Sequence, residues 1–272
     1  MASKPPNTRP KLVRAAIQQL ESLQAAGLTH LPKAKPRPRK AAAAASAVAP
    51  SRPSPTQPKS IQTPPTAVPP ETVGAKSPVA AGDRVAALAQ VQQEVARCTL
   101  CEELASTRTQ TVFGEGSPRS RLAFLGEAPG ADEDRTGRPF VGKAGQLLTR
   151  IIEACGLKRE DVYIFNTLKC RPPGNRNPLP SEAANCRQYL DRQLEIIRPE
   201  FICCLGAVAA QNLLMTDTSI GRLRGRVHDF QGIKVVCTYH PAYLLRNPDA
   251  KRYTWDDMKM LLAEMGIKIP GT

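Results

Sequence analysis

From Asp83 to Met265 the spacing of apolar residues keeps switching between every third or fourth position and short unbroken runs. Leu88, Val91 and Val95 fall on one helical face of residues 86–98, which predicts an amphipathic helix. RLAFLG (121–126) is a short continuous apolar run and predicts a buried strand. Residues 145–156 return to helical spacing, and VYIFN (162–166) is again a strand. Residues 181–197 read as a helix with Ser181 as its N-cap. FICCLG (201–206) is a third strand, AVAAQNLLM (207–215) a helix, KVVCTYH (234–240) a fourth strand, and 251–265 a closing helix. Strand and helix thus alternate four times. That order predicts an α/β fold: a three-layer α/β/α sandwich around a central four-stranded parallel sheet.

In open sheets of this kind, ligands bind outside the carboxyl ends of the strands. GEAPG (126–130) follows the first predicted strand, Asn166 ends the second and His240 ends the fourth. Three polar features distant in sequence are therefore expected at one edge.

The first 80 residues follow neither period. Residues 31–80 hold twelve prolines, too many for a packed core, so a disordered basic tail (1–80) is expected before a folded domain (81–272). Within the tail, Val13, Ile17, Leu20 and Leu23 share a face and predict a short amphipathic helix over 11–26.

Charge adds to this division. The chain of 272 residues carries 38 Lys and Arg against 24 Asp and Glu, a net of +14. Twelve of the basic residues and only two of the acids lie in residues 1–80. A basic balance favours nucleic acid as partner, but most of the excess belongs to the tail. No apolar run reaches the roughly 18 residues of a membrane helix, so no membrane association and a reducing cytoplasmic setting are expected.

The densest chemistry is GEAPGADEDRTGRPFVGKAG (126–145), with five glycines and four carboxylates. It lacks the spacing of either common phosphate-binding glycine motif, and its acids would repel phosphate. Phe140 in this loop could close a small core or offer a stacking face. Leu244 and Leu245, between Pro241 and Pro248, could plug the core or protrude as a wedge.

The eight cysteines fall into two groups. Cys155, Cys203, Cys204 and Cys237 lie inside apolar runs and read as inert core residues. Cys98 and Cys101 form a C-x2-C pair, Cys170 sits in a proline-bounded loop, and Cys186 follows on the next helix. Four such thiolates suffice for zinc or for an iron–sulfur cluster, and the wide second pair tilts towards a cluster.

Taken together, GEAPGADEDRTGRPFVGKAG, NTLKCRPPGNRNP, HPAYLLRNP and the upstream CTLC resemble the motifs of the family 4 (iron–sulfur) uracil-DNA glycosylases. The resemblance runs from about Asp83 to Gly266 and leaves the tail outside. It implies a monofunctional glycosylase that flips uracil out of single- or double-stranded DNA and hydrolyses its N-glycosidic bond in base-excision repair. It implies a 4Fe-4S cluster on Cys98, Cys101, Cys170 and Cys186, with a structural role. Phe140 would stack on the flipped base, Asn166 would read its edge, and Glu133 would crowd a methyl at C5. His240 would donate to uracil O2, and Leu244 with Leu245 would fill the gap in the stack. Ala128 stands at the base where the better-known uracil glycosylases carry a water-activating Asp. Glu127, Asn175 and Asp132 are therefore the candidates to position water. A branch that traps uracil covalently through a histidine in a basic loop is not matched, because no histidine lies between Arg171 and Cys186. The alternative from another class is a non-catalytic DNA-binding iron–sulfur or zinc module. A monomer is expected, with the tail a candidate contact for DNA or for a repair or replication protein.

Overall fold

The computed structural model describes residues 81–268; the expected tail (1–80) and the helix predicted over 11–26 lie outside them. Four central strands run parallel: β2 (Leu122–Gly126), β3 (Tyr163–Asn166), β4 (Phe201–Leu205) and β6 (Ile233–Thr238). These are the four strands the apolar runs predict. Two short strands, β1 (Glu115–Gly116) and β5 (Val227–Phe230), extend the sheet antiparallel at its edges, giving the order β1-β3-β2-β4-β6-β5. The sheet therefore has six strands. The edge pair carries too few apolar positions for a period to register.

Period-two alternation divides the strands between two cores. Ala123, Leu125, Phe165, Ile202, Cys204, Val235 and Cys237 face one side, where Leu88, Val91 and Val95 of α1 (Ala81–Ala96) pack beside Leu190, Leu194 and Ile197 of α5 (Pro180–Ile197). Leu122, Phe124, Ile164, Cys203, Leu205 and Val236 face the other. There α4 (Lys143–Ala154) supplies Leu148 and Ile152, and α9 (Lys251–Glu264) supplies Met258, Leu261 and Leu262. Each face of the sheet is buried, as a parallel sheet requires. The cysteines read as core residues are buried there, and burial pushes the Cys155 thiol up to about 11.

Helix α5 starts two residues earlier than its composition suggests. Its N-cap is Leu179, with Pro180 at the first helical position and Glu182, not Ser181, closing the cap. Proline suits that first position because its missing N–H has no helical partner there. The Glu182 carboxylate accepts the Leu179 N–H at 2.7 Å and is held by both guanidinium nitrogens of Arg176 at 2.9 and 2.7 Å. Arg176 also reaches Glu103 of α2 (Glu102–Thr107) at 2.6 Å. One arginine thereby pins the proline-rich loop after β3 to two helices. Among the described residues, no helix is long and apolar enough to cross a membrane.

Candidate active site

The strand order reverses around β2: the chain passes from β2 to β3 on one side, then crosses back to β4 and β6 on the other. At this point lies a cavity of about 410 Å³, within the usual range of roughly 300–1,000 Å³ for small-molecule sites. Glu127, Ala128, Glu133, Phe140, Asn166, Asn175 and His240 all line it. The convergence expected from strand ends is thus observed.

The floor is set by β2 and β3, where Gly126 pairs in register with Asn166. Beyond the register the two chains stay tied: Thr167 and Leu168 donate their N–H groups to the oxygens of Gly126 and Glu127, at 2.9 and 3.0 Å. Gly126 has to be glycine. A Cβ there would lie 2.2 Å from Asn166 Oδ1 and 2.5 Å from Phe140 Cζ. The aromatic ring and the amide close over that missing side chain. Phe140 is held with φ at 51°, the left-handed region that costs a non-glycine residue energy. Its ring belongs to the α4–α9 core and also lines the cavity.

Asn166 is 2 % exposed, and its Oδ1 is a buried acceptor with no hydrogen-bond partner among the described residues. Buried polar atoms without partners are uncommon and each calls for a reason. An acceptor left open at the wall of a cavity suits a ligand N–H.

His240 follows β6 but belongs to the next element. It caps α8 (Pro241–Arg246), its Nδ1 accepting the Ala242 N–H at 3.1 Å. A neutral ring that accepts at Nδ1 carries its proton on Nε2. Burial pushes its pKa down to about 4, Arg246 adds to the fall, and Glu133 opposes it. At neutral pH His240 is therefore an uncharged donor. Its ring centroid lies 5.7 Å from that of Phe140.

The carboxylates separate by role. Glu127 is partly buried in the cavity wall, and burial raises its pKa. Glu133 lines the cavity too, but its oxygens clamp the loop: Oε1 accepts from Val141 and Gly142 at 2.8 and 3.0 Å, and Oε2 from Gly130 at 3.1 Å. Asp132 is exposed, pairs with Arg135 and is not among the lining residues. Asn175 is exposed with its Oδ1 held by Arg171 Nε at 2.7 Å.

The two leucines part company. Leu244 is 1 % exposed and packs on Leu147 and Ala250, whereas Leu245 is 41 % exposed. The neighbouring Tyr243 is exposed at the cavity rim and pairs with Tyr239 at 5.0 Å.

Cys98, Cys101, Cys170 and Cys186 all line a second, smaller cavity beside the first. Arg108 donates to Cys170 Sγ at 3.0 Å. Ala128 of the GEAPG turn packs with Cys101, Cys170 and Cys186 on Leu104, Leu168 and Ala183, so the turn and the cysteine cage share one small core. The side chain of Lys169, to which no role was given within NTLKCRPPGNRNP, is buried, lining the cysteine cavity and bonding the main-chain oxygen of Asn166. Arg108 lies outside the motifs, and Tyr243 and Arg246, though within HPAYLLRNP, carry no spacing signal that marks them.

The profile of the Uracil DNA glycosylase superfamily matches residues 113–259. The chain is 45 % identical over 191 residues to the type-4 uracil-DNA glycosylase of Archaeoglobus fulgidus, covering 67 % of this chain and 96 % of that one. It is 50 % identical over 159 residues to the type-4 uracil-DNA glycosylase of Thermotoga maritima, covering 58 % and 82 %. The type-4 uracil-DNA glycosylase of Sulfurisphaera tokodaii is 42 % identical over 183 residues, covering 64 % and 83 %.

Proposed function

The chain belongs to the uracil-DNA glycosylase superfamily and to its type-4 group, and from that premise we propose that it is a monofunctional uracil-DNA glycosylase that removes uracil from DNA and leaves an abasic site. The observation that carries this reading is the partnerless Asn166 Oδ1 in the wall of the cavity. Uracil offers a donor at N3 and an acceptor at O4, which a fixed amide can meet with its carbonyl and its NH2. Cytosine presents the opposite pattern at both atoms, and a buried amide facing the wrong pattern rejects it. The Phe140 ring supplies the stacking face for the flipped base.

The chemistry follows from the side chains present. The bond between C1′ and N1 breaks with its electron pair leaving on uracil, and the sugar becomes an oxocarbenium-like cation. His240 Nε2–H points its partial charge at the growing charge on O2. A neutral donor does this without protonating the base. Such a preorganised donor is worth ~3 kcal/mol. Glu127 faces the cation and, with its pKa raised by burial, takes the proton when water adds to C1′. Asn175, steadied by Arg171, is the second group able to orient that water. Leu245 enters the base stack in place of the flipped nucleotide, and Leu244 anchors it from the core.

The four-cysteine cage is proposed to hold a 4Fe-4S cluster. Two observations support the fit. All four side chains are thiols lining one small cavity, the donor set that iron–sulfur clusters take. Arg108 and Lys169 also bring positive charge against it, which an anionic cluster balances. Bound there, the cluster supplies no chemistry to the reaction; it staples α1, the loop after β3 and α5 together. We further propose a monomer acting in the cytoplasm, with residues 1–80 adding salt-sensitive affinity for DNA.

A labelled oligonucleotide with one uracil tests the reading. Iron-replete protein releases uracil, and the strand breaks only after alkali. A protein that binds DNA but releases no uracil is the non-catalytic module instead.

A further inference from the structure

Lys169 lies between the base-reading site and the cysteine cage. Its side chain is 1 % exposed, yet its one hydrogen bond among the described residues runs from Nζ to the main-chain oxygen of Asn166, at 2.8 Å. The ammonium also stands 5.1 Å over the Phe165 ring. Neither partner is an anion, and a buried cation without one is costly. The thiol sulfurs of the cage are the nearby source of countercharge: Lys169 lines the same cavity as the four cysteines. One residue thus lines the cage and holds the main-chain oxygen of the residue proposed to read the base.

We propose that Lys169 is a positioning residue that couples the cysteine cage to Asn166. Its ammonium answers the negative charge of a thiolate-bound cluster and, in the same pose, holds the Asn166 carbonyl, so that a filled cage fixes the amide that selects uracil. This rests on the reading above that the cage takes an iron–sulfur cluster and that Asn166 reads the base. It gives the cluster a consequence at the active site without any redox step.

The test compares anaerobically purified wild-type protein with Lys169→Met and Lys169→Gln. The readouts are the cluster's reduction potential, single-turnover uracil release and affinity for abasic DNA. Loss of a nearby cation disfavours the more negative, reduced cluster, so both variants are expected at more negative potential than wild type. Methionine cannot donate to Asn166, and its release rate is expected to fall about tenfold or more, as when a charge-assisted hydrogen bond is lost, with abasic-DNA affinity unchanged within about threefold. Glutamine, one bond shorter, restores a neutral donor, and its rate is expected to recover to within about threefold of wild type. A wild-type potential in the methionine variant, or a glutamine variant no faster than methionine, overturns the coupling. If the methionine variant loses its iron, the glutamine variant decides: a displaced potential with a near wild-type rate supports the coupling, and a wild-type potential overturns it. A wild-type protein that releases no uracil is a failure of the functional reading itself, distinct from an active enzyme indifferent to Lys169.

Discussion

In a His240→Ala protein the cavity loses one Nε2–H and keeps the rest of its wall. The structure fixes what that donor is. Its Nδ1 is committed to the Ala242 N–H, and its pKa is pushed from 6.5 to about 4 by burial, then by Arg246, against Glu133. That fall corresponds to ~3 kcal/mol of preference for the neutral ring in the folded protein. At pH 6 only about one ring in a hundred is protonated, so the uncharged donor is the working form across the neutral range. Removing one preorganised donor of this kind costs about 10²–10³ in the chemical step. Single-turnover release from a 5′-labelled uracil oligonucleotide measures it, and binding to an abasic-site duplex controls for DNA affinity, which is expected to hold. The sign of the pH effect follows too. The folded ring is harder to protonate than the unfolded one, so its contribution to stability is complete above about pH 6.5 and is lost as pH falls towards 4. A His240→Ala rate within about threefold of wild type, far short of such a donor's worth, refutes the role. So does a wild-type rate that titrates with His240 near pH 6.5, because that requires an ordinary, exposed imidazole.

Three further outcomes are expected. Gly126→Ala drives a methyl into Asn166 Oδ1 and the Phe140 ring; uracil release should fall at least tenfold, by disruption of the amide's alignment, while far-UV circular dichroism stays unchanged. Leu244→Ala and Leu245→Ala should fail in opposite ways: the buried leucine costs ~2–5 kcal/mol of stability by denaturant melts, whereas the exposed one leaves stability intact and slows release from duplex more than from single-stranded DNA. Cys186→Ser should lose both the broad absorbance near ~400 nm expected of thiolate-bound iron and thermal stability, as scanning calorimetry and iron analysis on the same sample can show.

The sequence by itself determined the four parallel strands and most of the flanking helices, because burial on both faces of a sheet writes long apolar runs and helices write a period of 3.6. It also placed GEAPG, Asn166 and His240 at one sheet edge, since strand ends in a parallel sheet point the same way. The motifs named the candidate residues, and the matched relatives give that family. Tertiary structure alone decided the rest. Whether Leu244 or Leu245 faces the core depends on how α8 docks on Leu147 and Ala250, and adjacent leucines carry no period to tell them apart. Glu133 became a loop clamp because three N–H groups from two turns close on it, and those turns meet only when folded. His240 became a neutral donor because α8 starts on it and burial strips its charge. Lys169 is the extreme case: a lysine in sequence reads as surface, and only the packing of the cysteine cage against β3 turns it inward. Periodicity records what each element buries against the average neighbour, whereas a site is made of particular contacts between elements, and those exist only once the chain has closed on itself.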